Sequence, residues 1–332
     1  MPLKGDRIRF QNGIVTSDKQ AVRSLAPAKI NLVLRVLGRR PDGYHNLWSL
    51  MQTVELTDEL HIRLLPETGL KIECNDEALP TDGRNLVYRA AGLVLNRARM
   101  TVGLHIRILK RIPISAGLGG GSSDAAATIL GLNHLLGLQW SMTEMAEAGQ
   151  LLGSDVPFFF SAPTAYVRGR GEDILSVQLE GKRWLVLINP GFPVETRWAY
   201  DRLAASRSAI RPLSSGIMAL SEKTRISWDD VVPLMENDFE DVLAPTHPML
   251  GQIRAELLSR GAEAAMISGS GATVFGLFPQ EAAAAQARDS IARTRGWWTC
   301  AVRVATALPV CHEVPWPDSF TSVDNSPPIS IG

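Results

Sequence analysis

The glycine-rich segment at residues 117–123 constrains this chain more than any other feature. It reads Gly-Leu-Gly-Gly-Gly-Ser-Ser and lies between a predicted strand at 102–109 and a predicted helix at 124–136. Glycine lacks the Cβ that keeps a ligand away from the backbone, and it tolerates positive φ. Successive backbone N–H groups in such a loop converge on an anion, and the start of the next helix adds its positive dipole end. The segment therefore predicts a phosphate site, with the Ser122 and Ser123 hydroxyls near a phosphate or its magnesium ion.

Two familiar phosphate-binding patterns fit this segment less well. The Walker pattern GxxxxGK[ST] requires a lysine that is absent here. The Rossmann pattern GxGxxG is approximated by Gly117 and Gly119, but Ser122 stands where the third glycine belongs. The plain alternative is a flexible connection between strand and helix, because turns are rich in glycine for conformational reasons alone.

Composition narrows the classes of protein to consider. The 332 residues include 34 basic and 34 acidic side chains, so the chain lacks the basic excess of a nucleic-acid binder. Its three cysteines and six histidines are dispersed, which favours reduced thiols and gives no zinc pattern. No stretch reaches the roughly 18 apolar residues of a membrane span, and the N-terminus has no apolar signal core. We therefore expect a cytoplasmic protein with neither a nucleic-acid nor a membrane partner.

Periodicity predicts an α+β fold with two lobes. Residues 26–37 alternate with period two, as in a strand, and a turn follows at 41–43. The second half has the order of a split βαβ, or ferredoxin-like, unit, and a cleft between the lobes is the expected ligand site. Further predicted strands lie at 50–65, 70–74, 184–188, 262–267, 272–278 and 297–305, and further helices at 85–99, 143–152, 247–260 and 280–294.

Glycines that cluster between residues 165 and 185 predict the boundary between the lobes. We assign an N-terminal domain to residues 23–178 and a C-terminal domain to 179–311. The polar residues 1–22 are expected to form an extension. The proline-containing residues 312–332 are expected to form a tail, because neither composition can bury much apolar surface.

Three polar residues stand out in apolar surroundings. Lys29 and Asn31 project from one face of the first strand, whereas Ile30 and Leu32 face the other way. A lysine in an apolar strand is unfavourable unless it meets a counter-ion or a ligand, and the alternative is the solvated face of an edge strand. Asp155 lies shortly before the apolar run at 158–160, which suggests a partly buried carboxylate, and Lys29 is a candidate for its partner. The alternative for Asp155 is a turn or cap residue.

Five segments in order resemble a known family. Residues 27–32 (Pro-Ala-Lys-Ile-Asn-Leu), 113–123 and 267–272 (Ile-Ser-Gly-Ser-Gly-Ala) are similar to the three ordered motifs of the GHMP kinases, which include galactokinase and the homoserine and mevalonate kinases. Residues 41–47 (Pro-Asp-Gly-Tyr-His-Asn-Leu) and 153–158 resemble the members that act on a cytidine diphosphate-linked methylerythritol. The resemblance covers roughly residues 24–306.

The resemblance implies a lobe like ribosomal protein S5 domain 2 followed by a ferredoxin-like lobe. It implies ATP-dependent phosphorylation of the 2-hydroxyl of the cytidine diphosphate-linked substrate in the non-mevalonate route to isoprenoid precursors, with Mg²⁺. Rival interpretations are a homoserine- or mevalonate-type kinase, which residues 41–47 argue against, a non-catalytic relative, and a Rossmann oxidoreductase.

The resemblance also assigns roles to individual residues. Lys29 and Asp155 are the implied catalytic pair, in which Asp155 accepts the hydroxyl proton and Lys29 offsets charge. The implied ATP-binding residues are Lys110, Pro113, Ile114, Ser115, Ala116, Gly117, Leu118, Gly119, Gly120, Gly121, Ser122 and Ser123. The implied residues for the second substrate are Asn31, Tyr44, His45, Thr196 and Tyr200.

Overall fold

An eight-stranded sheet and a four-stranded sheet, with helices packed on them, form most of the fold, and the described residues contain two further sheets of two strands each. The structure is a computed structural model and describes residues 8–10, 13–15, 21–207 and 209–317. The elements of the first half are β1 (Ile8–Phe10), β2 (Gly13–Val15), β3 (Ala21–Arg39), β4 (His45–Leu65), β5 (Gly69–Cys74), α1 (Leu86–Ala98), β6 (Gly103–Leu109), α2 (Gly120–Leu135), α3 (Met142–Gln150), β7 (Thr164–Gly169) and β8 (Asp173–Ser176). Those of the second half are β9 (Gln178–Glu180), β10 (Trp184–Asn189), α4 (Thr196–Ser206), α5 (Ser215–Leu220), β11 (Arg225–Ser227), α6 (Trp228–Val231), β12 (Glu236–Asn237), α7 (Glu240–Thr246), α8 (Pro248–Ser259), β13 (Ala264–Ile267), β14 (Val274–Phe278), α9 (Glu281–Arg295), β15 (Trp298–Arg303) and β16 (Cys311–Val314).

The first sheet is organised around a long hairpin. Strands β3 and β4 contain 19 and 21 residues and pair antiparallel across the turn at 41–43. The strand order is β12-β3-β4-β6-β5, with β16 on β3 and with β7 joining β4 to β8. Apolar side chains of this sheet and of α1, α2 and α3 form one core, which includes Ile62, Val94 and Ile129. The first predicted strand, at residues 26–37, is part of β3, and residues 26–36 are buried on both faces of the sheet.

The second sheet has the order β13-β14-β10-β15, with antiparallel pairing throughout. Helices α8 and α9 pack on it, and a core containing Ile188, Ile253 and Ile291 lies between. The chain order β10-α8-β13-β14-α9-β15 is the predicted ferredoxin-like arrangement, with α4–α7 inserted after β10. The predicted α+β class with two lobes is confirmed.

A middle layer of apolar side chains joins the two sheets. Ile30 and Leu32 of β3 lie in one buried cluster with Leu187 of β10 and Phe275 of β14. Because Lys29 and Asn31 alternate with these residues, the pleat directs them away from this layer.

Helix α2 begins four residues earlier than predicted, at Gly120 instead of residue 124. Its N-cap is Gly119, with a φ of 70°, and no side chain caps the first turn. Glycine lowers helix stability through backbone entropy chiefly in the middle of a helix, so two glycines at its first positions are tolerated. The two last glycines of the loop are therefore part of the helix.

The described part of the predicted tail lies against the first sheet. Strand β16 pairs with residues 21–24 of β3. The guanidinium groups of Arg63 and Arg107 lie 4.2 and 4.6 Å from the centre of the Trp316 ring. Most of residues 1–22 and all of 318–332 fall outside the described residues, and the division at residue 178, which falls at β9, stays a prediction. Among the described residues, no helix has the length and apolar character to cross a bilayer.

Candidate active site

A cleft of about 660 Å³ lies between three segments that are far apart in the sequence, at residues 29–31, 113–122 and 269–271. Its wall includes Lys29 and Asn31 of β3, most of the loop at 113–122, Asp155, and the turn at 269–271. A second cavity of about 700 Å³ adjoins it, and both are lined by Ser122, Asp155, Thr196 and Tyr200. The two cavities therefore meet at Asp155.

Hydrogen bonds hold the glycine-rich loop between β3 and the turn at 268–271. The Lys29 N–H donates to Leu118 O over 2.9 Å, and the Ser268 hydroxyl donates to Gly117 O over 2.9 Å. Gly117 has a φ of +77°, and a Cβ at this position would lie 2.3 Å from Ser268 O. Glycine is required here both by the backbone conformation and by the close approach of the turn.

The start of α2 faces the same cleft. Gly119, Gly120, Gly121 and Ser122 all line it. Since no side chain caps this helix, the N–H groups of its first turn are available to an anionic ligand, and the helix dipole favours negative charge. This arrangement suits a phosphate group.

Lys29 and Asp155 form an ion pair at the junction of the two cavities. The Lys29 Nζ lies 3.6 Å from Asp155 Oδ2 and donates to Asn31 Oδ1 over 2.7 Å. The Lys29 side chain is 6% exposed, whereas the Asp155 side chain is 41% exposed and open to the cleft. The Asn31 amide in turn donates to Ser49 Oγ, so its oxygen is directed at Lys29. The pair can accept a proton from a hydroxyl group and stabilise nearby negative charge.

Lys110 lies between two buried carboxylates behind the loop. Its Nζ is 2.5 Å from Asp58 Oδ2 and 2.7 Å from Asp124 Oδ2, and the three side chains are at most 5% exposed. Burial opposes the charge on Lys110, but the two carboxylates outweigh it and raise the pKa of the ammonium group. Burial and then the Asp58 carboxylate raise the pKa of Asp124. We name these three residues the buried triad.

Aromatic rings line the second cavity. The Tyr200 ring stacks on His45 at 4.9 Å and meets Phe239 edge-on at 4.8 Å. Burial, together with Arg39, lowers the pKa of His45, which favours the neutral form of its ring. Tyr44 is 54% exposed, and the Arg170 guanidinium lies 4.8 Å from its ring centre. Flat faces and a cation in one cavity suit a base linked to phosphates.

The structure brings almost all of the predicted site residues to these two cavities. Leu118 and Ser123 are the exceptions, since both are about 1% exposed and lie beneath the loop surface. Thr196 lines both cavities, and its Oγ1 lies 3.0 Å from Ser270 Oγ in the wall of the first cavity. Sequence reasoning missed Asp58, Arg170 and the residues around position 237.

Replacing Gly119 by alanine is expected to lower kcat by about 10-fold to 10²-fold, because small misplacements of reacting groups have effects of that size. The new Cβ would lie 2.8 Å from Lys29 Cγ and 3.1 Å from Lys29 Cε, and so would displace the lysine. Steady-state kinetics would measure the effect. Gly137→Ala is the matched control, since Gly137 also has a positive φ, +61°, but no atom within 4 Å of the added Cβ. Equal kcat losses in both variants would contradict the explanation.

Comparison with known proteins identifies the family. The GHMP kinases N terminal domain family matches residues 85–162, and the GHMP kinases C terminal family matches 217–295. The 4-diphosphocytidyl-2-C-methyl-D-erythritol kinase of Geobacter sp. (strain M21) is 42% identical over 279 residues, covering 84% of this chain and 97% of the relative. The enzyme of the same name from Syntrophotalea carbinolica is 42% identical over 281 residues, with 84% and 97% covered.

Solved structures agree with this grouping. A crystal structure of 4-(cytidine 5'-diphospho)-2C-methyl-D-erythritol kinase superposes with a TM-score of 0.72 at 32% identity, covering 86% of this chain and 100% of the other. A homoserine kinase from Cytophaga hutchinsonii, at 19% identity, a TM-score of 0.69 and coverage of 92% and 100%, shares the fold. The chain therefore belongs to the GHMP kinases and, within them, to the family of 4-diphosphocytidyl-2-C-methyl-D-erythritol kinases.

Proposed function

We propose that this chain transfers the γ-phosphoryl group of ATP to the 2-hydroxyl of 4-diphosphocytidyl-2-C-methyl-D-erythritol, with release of ADP, in the non-mevalonate route to isoprenoid precursors. The observation that carries the proposal is the Lys29–Asp155 ion pair, 3.6 Å across, at the junction of the two cavities. One cavity is suited to phosphates and the other to a base. A reaction between their occupants would take place beside this pair.

ATP belongs to the cavity lined by the glycine-rich loop. As a GHMP kinase, the chain is an ATP-dependent phosphotransferase. The uncapped first turn of α2 supplies donors for the phosphates, and the Lys110 side chain lines the same cleft. Such donors stabilise charge on a transferring phosphoryl group without reorganisation.

The cytidine end of the acceptor belongs to the second cavity. The stacked pair of Tyr200 and His45 offers flat faces, and Tyr44 offers another at the rim. The base of the acceptor would lie against these rings. Thr196 lines both cavities and Asn31 lines the ATP cleft, and the methylerythritol part would extend past them toward Asp155.

Alignment contributes more to the rate than the base does. Holding two substrates in reactive geometry supplies about 7–11 kcal/mol of barrier reduction. A positioned general base adds about 10²–10⁴-fold. In this scheme Asp155 accepts the proton of the attacking hydroxyl, and Lys29 orients Asp155 and offsets the charge that develops. Phosphoryl transfer leaves little covalent work to the protein beyond this.

The donor groups of the cleft fit a magnesium ion that arrives with ATP. Among the described residues there is no cluster of three or more Asp, Glu, His or Cys side chains suited to a metal ion. Magnesium bound to nucleotides typically takes one or two protein carboxylates, and phosphates and water complete its shell. Asp124 lines the cleft, and its Oδ1 is buried without a hydrogen-bond partner in the structure. Asp124 and the Ser122 hydroxyl would hold the ion, which would neutralise charge on the phosphoryl oxygens.

A cytoplasmic location is part of the proposal. Cys74, Cys300 and Cys311 are all free thiols in the structure. Unpaired cysteines are typical of a reducing compartment.

An assay of ADP release with a panel of acceptors tests the function. Purified protein with ATP and Mg²⁺ is expected to turn over 4-diphosphocytidyl-2-C-methyl-D-erythritol and to leave homoserine and mevalonate unphosphorylated. Product analysis by ³¹P NMR should place the new phosphate on the 2-hydroxyl. Turnover of homoserine or mevalonate in preference to the cytidine substrate would show that the acceptor is wrongly assigned.

A further inference from the structure

A short segment at residues 236–240 connects the walls of both cavities, although only Phe239 of it lines the ATP cleft. From its contacts we propose that Asn237 is a positioning residue for phosphoryl transfer, which fixes the turn at 268–271 against Lys29 and the glycine-rich loop. The inference rests on the proposed function, because its main readout is the rate of that reaction.

Asn237 uses both amide hydrogens on the turn. Its side chain is about 4% exposed, and Nδ2 donates to Ile267 O and to Gly269 O, each over 2.8 Å. Its Oδ1 accepts the Phe239 N–H over 3.0 Å. All the donor capacity of the side-chain amide is thus directed at the peptide units that begin the turn. Removing it would leave two buried carbonyl groups without these donors.

The turn held by Asn237 is packed directly against the reacting groups. A Cβ placed on Gly269 would lie 3.1 Å from Gly117 O, 3.3 Å from Lys29 Nζ and 3.6 Å from Asn31 Oδ1. Ser268 also donates its hydroxyl hydrogen to Gly117 O. A shift of the turn would therefore be transmitted to the phosphate loop and to the ammonium group of Lys29.

The neighbours of Asn237 anchor it to the first sheet. Strand β12 pairs with β3, with Glu236 opposite Val33 and Asn237 opposite Leu34. Asp238 is fully buried, accepts the Val36 N–H over 2.7 Å, and forms an ion pair with Arg35. Lys29 is also a residue of β3. Asn237 therefore links the turn at 268–271 to the strand that contains Lys29.

The same segment supports the acceptor side. The Phe239 ring packs edge-on against Tyr200, which in turn stacks on His45. Glu240 Oε1 accepts the Ile267 N–H over 3.0 Å. Residues 237 and 240 therefore hydrogen-bond to the carbonyl and the N–H of Ile267, just before the turn. The segment thus joins the turn beside the phosphate loop to the aromatic wall of the acceptor cavity.

The test compares Asn237→Asp and Asn237→Ala with the wild type for kcat, both KM values and thermal stability. We expect kcat to fall by about 10²-fold in both variants, as for a misplacement of reacting groups, with KM for ATP changing far less. Asn237→Asp retains the acceptor for Phe239 N–H, and its protonated form can donate to one of the two carbonyls. Its kcat relative to wild type is therefore expected to rise as the pH falls, whereas that of Asn237→Ala should not.

Asn133→Asp is the matched control. Asn133 also donates through Nδ2 to a backbone carbonyl and accepts a backbone N–H, both of Trp140, but it lies outside both cavities. We expect it to lose stability and keep kcat. If Asn237 had a purely structural role, its variants would behave like Asn133→Asp: the melting temperature would fall and kcat would stay within about twofold of wild type. That result would overturn the proposal. Failure of both Asn237 variants to fold would overturn it equally. Wild-type turnover in the same assay separates these outcomes from failure of the proposed function.

Discussion

Replacing Asp155 by asparagine is expected to lower kcat by about 10²–10⁴-fold, the contribution of a positioned base. The amide has nearly the same shape as the carboxylate but cannot accept the hydroxyl proton. Because the Asp155 side chain is 41% exposed and belongs to no core, the variant should fold normally. ATP affinity, measured by calorimetry, should be almost unchanged, since the phosphate donors belong to the loop.

Lys29→Met and Asp173→Asn complete this experiment. Lys29→Met should also lose most activity, because it removes the ammonium group beside Asp155 and leaves Asn31 Oδ1 without its donor. Asp173 pairs with Arg168 on an exposed surface, and its replacement should leave kcat unchanged. Normal turnover by Asp155→Asn would remove Asp155 from the mechanism and leave the loop as the main source of catalysis.

Replacing Lys110 by methionine is expected to destabilise the protein by about 3–5 kcal/mol, because removing one partner leaves buried charges uncompensated. Asp58 and Asp124 would then face each other behind the loop at 0% and 2% side-chain exposure. Urea unfolding at neutral pH would measure the loss. The destabilisation should shrink at acid pH, where Asp124 can protonate: burial raises the pKa of Asp124, so the folded state binds a proton there more tightly than the unfolded chain.

Two further variants test whether the loss of stability comes from uncompensated buried charge. Lys71→Met removes a lysine that pairs with Glu73 at 58% exposure, and should change stability by less than about 1 kcal/mol, as for a solvent-screened pair. Adding Asp58→Asn and Asp124→Asn to Lys110→Met should recover most of the loss, since no uncompensated charge remains. A loss of equal size in Lys71→Met and Lys110→Met would show that the buried triad adds nothing special.

The periodicity of apolar side chains along single strands and helices was sufficient to predict much of the fold. The alternation in residues 26–37 placed Lys29 and Asn31 on the face opposite to Ile30 and Leu32, and the structure has the first two in the cleft and the others in the middle layer. The ferredoxin-like order could also be predicted, because its strands are short apolar runs between amphipathic helices. These features depend on the period of side chains along one element.

Asp58 carried a readable signal that was missed. Leu56, Leu60 and Ile62 have the same parity in the predicted strand at 50–65, and all are buried. Alternation therefore places Asp58 on the buried face, where a carboxylate requires a cationic partner. That its partner is Lys110, 52 residues further along, depends on the pairing of β4 with the strand before the loop.

Asn237 carried no such signal. It lies in a two-residue strand, and its contacts reach the turn 30 residues later and a strand about 200 residues earlier. No periodicity along residues 225–246 marks it, because its role comes from tertiary contacts. The positions of Thr196 and Tyr200 likewise came from resemblance to a family, since the start of α4 follows a loop whose course no local pattern specifies.

The middle layer of apolar side chains has a consequence for how the protein can be divided. Its members come from both halves of the chain, with Ile30 and Trp48 on one side and Leu187 and Phe275 on the other. A fragment ending at residue 178 would turn the inner surface of its long hairpin toward water, and the remaining fragment would do the same with its four-stranded sheet. Each half thus completes the interior of the other, and the enzyme is expected to melt as one cooperative unit.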